Sequence, residues 1–281
     1  MQNRILVTGA TGVLGKAIVK AAVADGLLVR QGVRNLTKAD PAIEAVRLDY
    51  ADPSTFAPAL AGVSAIVLMA PPLDPNAPSE LEPVIAAAKT SNLGHVVLIS
   101  AFGVNHNEQA PLRVVEHLVI DSGLPFTIVR PNFLMENFSE GPQAHGIRAQ
   151  NAIHLAAGDG KTSFVSARDV AAAVVVALKQ SLTGKEVDLT GPTALDHAEV
   201  ARIISGATGR TVVYHDLTED QMLEGARSHG MPEPSVAYLG VLYGVVRAGY
   251  AGAVAGDFES ITERAPITFD AFARATAASW R

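Results

Sequence analysis

A doubly wound α/β fold is predicted by three features of this sequence. The chain opens on an apolar run of strand character, Arg4-Ile5-Leu6-Val7, which meets Gly9, Gly12 and Gly15 and passes at once into an amphipathic helical pattern. Short apolar runs then alternate with helical patterns of about a dozen residues, the rhythm of parallel strands joined by right-handed crossovers. The run Ala65–Met69 is apolar at every position, as a strand buried on both faces requires.

Taken in order, Val13, Leu14, Ala17, Ile18 and Ala21 recur at helical spacing and predict one buried face, ended by Asp25-Gly26. A second strand is expected at Leu27–Val33 and a short third at Val46–Leu48. Pro53–Leu60 reads as a short helix with Asp52 as N-cap and Pro53 in its first position. The fourth strand, Ala65–Met69, leaves through a proline-rich loop to Pro75. A helix at Ser79–Thr90, a fifth strand at His95–Ser100, a helix at Pro111–Ser122 and a sixth strand at Phe126–Arg130 complete the regular part. Beyond Pro131 the rhythm loosens. Phe133–Phe138 and Gly141–Gln150 read as an excursion. Thr162–Ser166 and Glu186–Thr190 read as strands flanking a helix at Ala167–Lys179. Helices near Asp196–Gly206, Glu219–His229, Pro234–Arg247 and Phe269–Ala278, with one strand at Thr211–His215, predict a small, mainly helical C-terminal cap. The domain expectation is residues 1–132 plus 161–190 for a Rossmann-like part and 133–160 plus 191–281 for the cap.

The chain has 281 residues, 48% of them hydrophobic, and can bury a substantial core. A net charge of -6 with no Lys/Arg cluster argues against a nucleic-acid surface. The absence of cysteine removes disulfides, thiolate nucleophiles and thiolate metal sites. The first strand starts close to Met1, so no signal peptide is expected. The longest apolar stretches are short or broken by Arg247 and glycines, so no membrane span is expected. A cytoplasmic protein follows as the expectation.

The glycine turn carries the first functional reading. Gly9 and Gly12 lack the Cβ that would keep a backbone away from a pyrophosphate. The helix from Val13 presents unpaired N–H groups and the positive end of its dipole to the phosphates. Gly9, Ala10, Thr11, Gly12, Val13 and Leu14 are therefore expected at a dinucleotide. Such folds choose between cofactors at the end of the second strand. Here Gly32-Val33-Arg34-Asn35 offers a guanidinium and no carboxylate, so NADP(H) is the expected cofactor, with Arg34 on its 2′-phosphate. Asp49 either accepts from the adenine amino group or begins the turn Tyr50-Ala51-Asp52. Ala70 and Pro71 are small enough to run beside the cofactor.

Thr8-Gly9-Ala10-Thr11-Gly12-Val13-Leu14-Gly15 with Arg34 resembles the atypical short-chain dehydrogenase/reductases, and more closely their NmrA-like group. That group includes NADPH-dependent quinone reductases, azo and triphenylmethane dye reductases and ergot-alkaloid-type reductases. His95–Ser100, the stretch from Glu116 through Ser122–Asn132, Phe164–Ala171 and Leu189–Pro192 are similar to further signatures of the group. The resemblance implies NADP(H) binding, with Ser100 at the cofactor, and names no single substrate.

Ordinary short-chain reductases use Tyr-x-x-x-Lys after the fifth strand, the lysine lowering the tyrosine's pKa for proton transfer. In this pattern the tyrosine position falls on Glu108 and the lysine position on Leu112. Ser100 remains, but Ala101 replaces the second hydroxyl of the Ser-Ser version. Two readings follow: a reductase of an electron-poor acceptor (quinone, iminium, azo compound or activated carbonyl) that needs little acid catalysis, or a non-catalytic NADP(H)-sensing regulatory protein. A regulatory protein partner belongs only to the second; a small-molecule substrate and a homodimer are compatible with the first. Polar helpers are sought among His106, Glu108, Arg113, His117 and Asn132. Arg113 and His117, at i, i+4 beside Glu116, also read as a solvent-facing stripe opposite Leu112, Val115 and Val119. His106 reads equally as a solvated loop residue. Phe102, Phe133, Met135 and Phe138 either line an apolar substrate pocket or pack the core.

Gly206–Gly209 repeats the tetrapeptide of Gly9–Gly12 but follows a helix, so it ends that helix. Gly160-Lys161-Thr162 lacks the first glycine of a P-loop. No ligand spacing appears among the eight histidines, so no metal is expected, and no Gly-x-Ser-x-Gly elbow is present.

Overall fold

A computed structural model describes residues 4–71, 73–91 and 93–281. Pro72, within the proline-rich loop, lies outside them. Seven strands form one parallel sheet in the order β3-β2-β1-β4-β5-β6-β8. They are β1 Arg4–Val7, β2 Leu28–Val33, β3 Ala45–Arg47, β4 Ala65–Met69, β5 His95–Ile99, β6 Phe126–Pro131 and β8 Lys185–Leu189. The sequence order reverses at β1, whose two neighbours are β2 and β4. Helices α1 Val13–Ala24, α2 Phe56–Leu60, α3 Ala77–Thr90, α4 Pro111–Asp121 and α6 Ala167–Gln180 flank the sheet, with α1 against α6 and α3 against α4. The doubly wound prediction is met. The strands were readable because β4 is apolar throughout and β5 is apolar from Val96 on, and both bury nearly every residue.

Local chemistry sets the boundaries. Asp52 accepts from Ser54 N at 3.2 Å ahead of Pro53, as the N-cap pattern predicts. The first turn, Pro53–Thr55, is a tighter 3-10 turn, and α2 begins only at Phe56. In α1 the buried set is Gly15, Ile18, Val19 and Ala22, one residue beyond the expected face. The reason is Gly15, which presses that helix against the glycine turn.

Two compact units divide the chain: residues 1–131, 167–188 and 260–262, and residues 132–166, 189–259 and 263–281. The first holds the sheet helices over a core of Leu6, Ile66, Leu68, Leu81, Leu98 and Ile128. The second contains α5 Ala144–Gln150, α7 His197–Thr208, α8 Glu219–Ser228, α9 Glu233–Arg247 and α11 Phe269–Thr276; a further helix, α10, spans Asp257–Thr262. Two short strands, β7 Ala152–Leu155 and β9 Val213–Asp216, pair in parallel in the second unit.

Thr162–Ser166, expected as a strand, is corrected: it makes only isolated bridges, Thr162 to Leu195 and Val165 to Leu134. All five of its residues are buried, and Ser163 is tied within the second unit, its N donating to Ala251 O and its Oγ to Ala253 O. Burial, not ladder formation, made it look like a strand. Capping boxes start α7, where Asp196 and Glu199 exchange bonds, and α8, where Thr218 and Gln221 do. No helix among the described residues is long and apolar enough to cross a membrane.

Candidate functional site

The glycine turn follows β1 directly. Gly9 adopts φ +58°, a left-handed conformation that side chains disfavour. Its carbonyl accepts from Gly12 N at 3.0 Å, which closes the turn. A Cβ built on Gly15 would lie 2.1 Å from the Gly9 carbonyl oxygen, so only glycine lets α1 sit this close. Gly12 is the N-cap of α1 and supplies no side-chain acceptor, and the first turn holds no acidic residue. The helix's positive end is therefore left for an external anion. Gly9 and Gly12 are exposed, Thr11, Val13 and Leu14 half-buried and Ala10 buried. This cradle fits a dinucleotide phosphate.

Groups invisible to the glycine pattern hold the cradle. Thr8 N donates to Val67 O at 3.0 Å, and Thr8 Oγ1 accepts from Met69 N at 2.9 Å. Tyr50 Oη donates to Met69 O at 2.8 Å. Burial raises the Tyr50 phenol far above its ordinary range, so it remains a donor. Tyr50 was read only as part of a turn; its signal is a lone aromatic in a polar loop. Ala70 is half-buried and Pro71 exposed at the end of β4.

Arg34 is exposed just past β2 and makes no hydrogen bond or ion pair among the described residues. Its charge is felt by Glu80. Burial first, then Asp74, hold that carboxyl above its ordinary range; Arg34 pulls it down and Asp49 adds to the rise. The guanidinium thus lies within electrostatic reach of one carboxylate, Glu80, a feature the strand-end reading missed. Asp49 Oδ1 accepts from Ala51 N at 3.2 Å, the bond that the turn reading expects.

A buried ionic network closes the other side of the first unit. Ser100 follows β5, and its Oγ donates to Glu116 Oε1 at 2.5 Å. Glu116, fully buried on α4, also accepts from Arg130 Nε at 2.7 Å, Arg130 Nη2 at 2.8 Å and Arg113 Nη1 at 2.9 Å. Burial pushes the Glu116 carboxyl up, but the bonds from Arg130, Ser100 and Arg113 together hold it below its ordinary range. Arg130 also pairs with Glu186. The solvent-stripe expectation fails for Glu116, because Arg130 on β6 draws it inward. Arg113 and His117 are half-buried, and Glu108, exposed on the loop before α4, bonds Arg113 Nε at 3.1 Å and His117 Nε2 at 2.7 Å. Leu112, in the lysine position, is half-buried. His106 is exposed on a short turn, Val104–His106.

The other candidates separate. Phe102 is half-buried in the first unit. Asn132, in the second, spends its amide on Ser163 Oγ and Ala251 O, both at 2.8 Å, and on Phe133 N at 2.9 Å. Met135 and Phe138 are sealed in that unit's core, Phe138 edge-on to Phe164 and Phe269; packing accounts for both. Phe133 is half-buried, its ring 6.0 Å from that of Tyr243. No group of three or more metal-ligating side chains occurs among the described residues.

The chain matches the NAD(P)H-binding family over residues 9–181, from the glycine turn to the end of α6. It is 31% identical to the prestalk A differentiation protein A of Dictyostelium discoideum over 97% of this chain and 92% of that one. It is 32% identical to the NAD(P)H azoreductase of Xenophilus azovorans over 98% and 99% of the two chains. The crystal structure of the Citrobacter sp. triphenylmethane reductase complexed with NADP(H) superposes with a TM-score of 0.83, covering 98% of this chain and 99% of that one; at 23% identity the likeness is one of fold.

Proposed function

We propose that this chain, which belongs to the NAD(P)H-binding family in its NmrA-like, atypical short-chain dehydrogenase/reductase branch, uses NADPH to reduce a small, apolar, electron-poor acceptor. It is an oxidoreductase. The observation that carries the reading is the uncapped glycine cradle, whose Gly9–Gly15 contact admits no side chain and whose helix end has no internal anion. Arg34, unpaired, would take the 2′-phosphate, and Gly12, Val13 and Leu14 the pyrophosphate. When bound, the dinucleotide supplies the hydride.

The acceptor class follows from what the protein does not offer. Glu108 and Leu112 replace the proton-relay pair, and Glu108 is already engaged with Arg113 and His117. An acceptor that takes hydride without prior protonation, such as an iminium ion, quinone or azo compound, suits such a site. The protein then contributes binding, orientation and exclusion of water. Phe102, a half-buried ring in the first unit, is proposed as an apolar contact for it.

Loss of NADPH absorbance with a panel of quinones, iminium compounds, azo dyes and simple aldehydes tests the reading. Turnover of the first three groups and not of unactivated aldehydes is expected. Clear NADPH binding without turnover of any of them would make the protein a dinucleotide-sensing regulator instead.

A further inference from the structure

Ser100 stands where a short-chain reductase keeps a hydroxyl beside its reaction centre, yet its hydrogen is already used. Ser100 N donates to Val129 O at 2.8 Å, which continues the β5–β6 ladder and fixes the residue's orientation. The hydroxyl lies 2.5 Å from Glu116 Oε1. Glu116 takes four bonds in all, three of them from the guanidiniums of Arg113 and Arg130. A fully buried carboxylate so surrounded is ionised and carries no hydrogen. The hydrogen in the Ser100–Glu116 contact is therefore the serine's. A hydroxyl has one hydrogen and two lone pairs, so only acceptor capacity remains.

We propose that Ser100 is an acceptor that holds the carboxamide N–H of the nicotinamide, with Glu116 as the positioning residue that turns it that way. The assignment rests on the reading that the chain holds NADP(H). Topology supplies the placement. The strand order reverses at β1, where a dinucleotide crosses the sheet. Arg34 and Asp49 follow β2 and β3 on one side of the glycine turn and suit the adenosine half. Ser100 follows β5, two strands along on the other side, about 10 Å away at ordinary strand spacing. That is the nicotinamide side. A serine held as an acceptor cannot protonate a carbonyl, which agrees with an acceptor that needs no proton during hydride transfer.

The test uses calorimetric binding rather than turnover. NADP⁺ is compared with its 3-acetylpyridine analogue, in which a methyl group replaces the carboxamide NH₂. Ser100→Ala is expected to weaken NADP⁺ about tenfold, the scale of one hydrogen bond, and to leave the analogue within about twofold. Ser100→Thr, which keeps the hydroxyl, is expected to restore NADP⁺ affinity. Glu116→Gln is expected to weaken NADP⁺ like Ser100→Ala, with no further loss in the double variant. Equal weakening of both dinucleotides by Ser100→Ala, or weakening of neither, overturns the proposal while leaving the cofactor reading intact. Failure of the unmodified protein to bind either one overturns both.

Discussion

At the scale of single residues, the proposed preference for NADPH rests on one cation, Arg34, whose charge reaches Glu80. Arg34 would offer charge-assisted bonds to a 2′-phosphate, and Glu80, which feels the charge of Arg34, would oppose the same negative charge. Arg34→Ala is expected to cut the preference for NADPH over NADH about 10- to 100-fold, from the loss of bonds of about 1.5–3 kcal/mol. Glu80→Gln is expected to raise that preference a few-fold, on the scale of a half-exposed charge pair. Binding titrations with both dinucleotides check the two together; an unchanged preference in Arg34→Ala removes the phosphate pocket from Arg34. The arginine was legible because it directly follows an apolar strand. Glu80 was not, because it lies more than forty residues further on, on α3, and is brought near only by the fold.

Among the elements, the turn from β1 into α1 depends on contacts shorter than a side chain allows. Gly15→Ala would force a Cβ against the Gly9 carbonyl. It is expected to abolish dinucleotide binding and to cost about 1–3 kcal/mol of stability, typical of overpacking. Retention of full NADPH affinity in a folded Gly15→Ala protein would show that the cradle is not the phosphate site.

The first turn of α7 carries a second consequence. His197 is buried among Phe138, Phe164, Tyr214 and Tyr243, and its Nδ1 has no hydrogen-bond partner. Burial drops its pKa from the ordinary 6.5 to about 4, against the pull of Asp196 and Asp216. A base depressed by folding leaves stability intact above its unfolded pKa, because both states are then neutral. Stability falls as the unfolded chain takes up a proton between about pH 6.5 and 4, by about 3 kcal/mol in all. Urea unfolding across that range should show the slope in the native protein and lose this component in His197→Leu. Equal slopes would deny the burial of a neutral imidazole. Nothing in the sequence announced this, since a histidine one residue past an N-cap reads as exposed. Periodicity did reveal α7 and both of its neighbouring helices, but β7 escaped because Ala152–Leu155 is four residues long and its pairing partner lies about sixty residues away.

For the whole molecule, the parallel sheet was readable because its strands are short and rhythmically spaced and its central ones are mostly apolar. The second unit was harder, since its core draws Met135, Phe138, Phe164, Phe269 and Trp280 from segments with no common period. The site divides the same way. Its cradle is a contiguous motif, whereas Ser100, Glu116 and Arg130 meet only when β5, α4 and β6 assemble, so Glu116 looked like part of a solvated stripe. Direct hydride transfer from NADPH to an electron-poor acceptor is the central step proposed for this protein. NADPH bearing deuterium on both positions at C4 of its ring, reacted with an iminium acceptor in ordinary water, tests it most directly. One deuterium bound to carbon in the reduced product is expected. A product free of deuterium would contradict the claim.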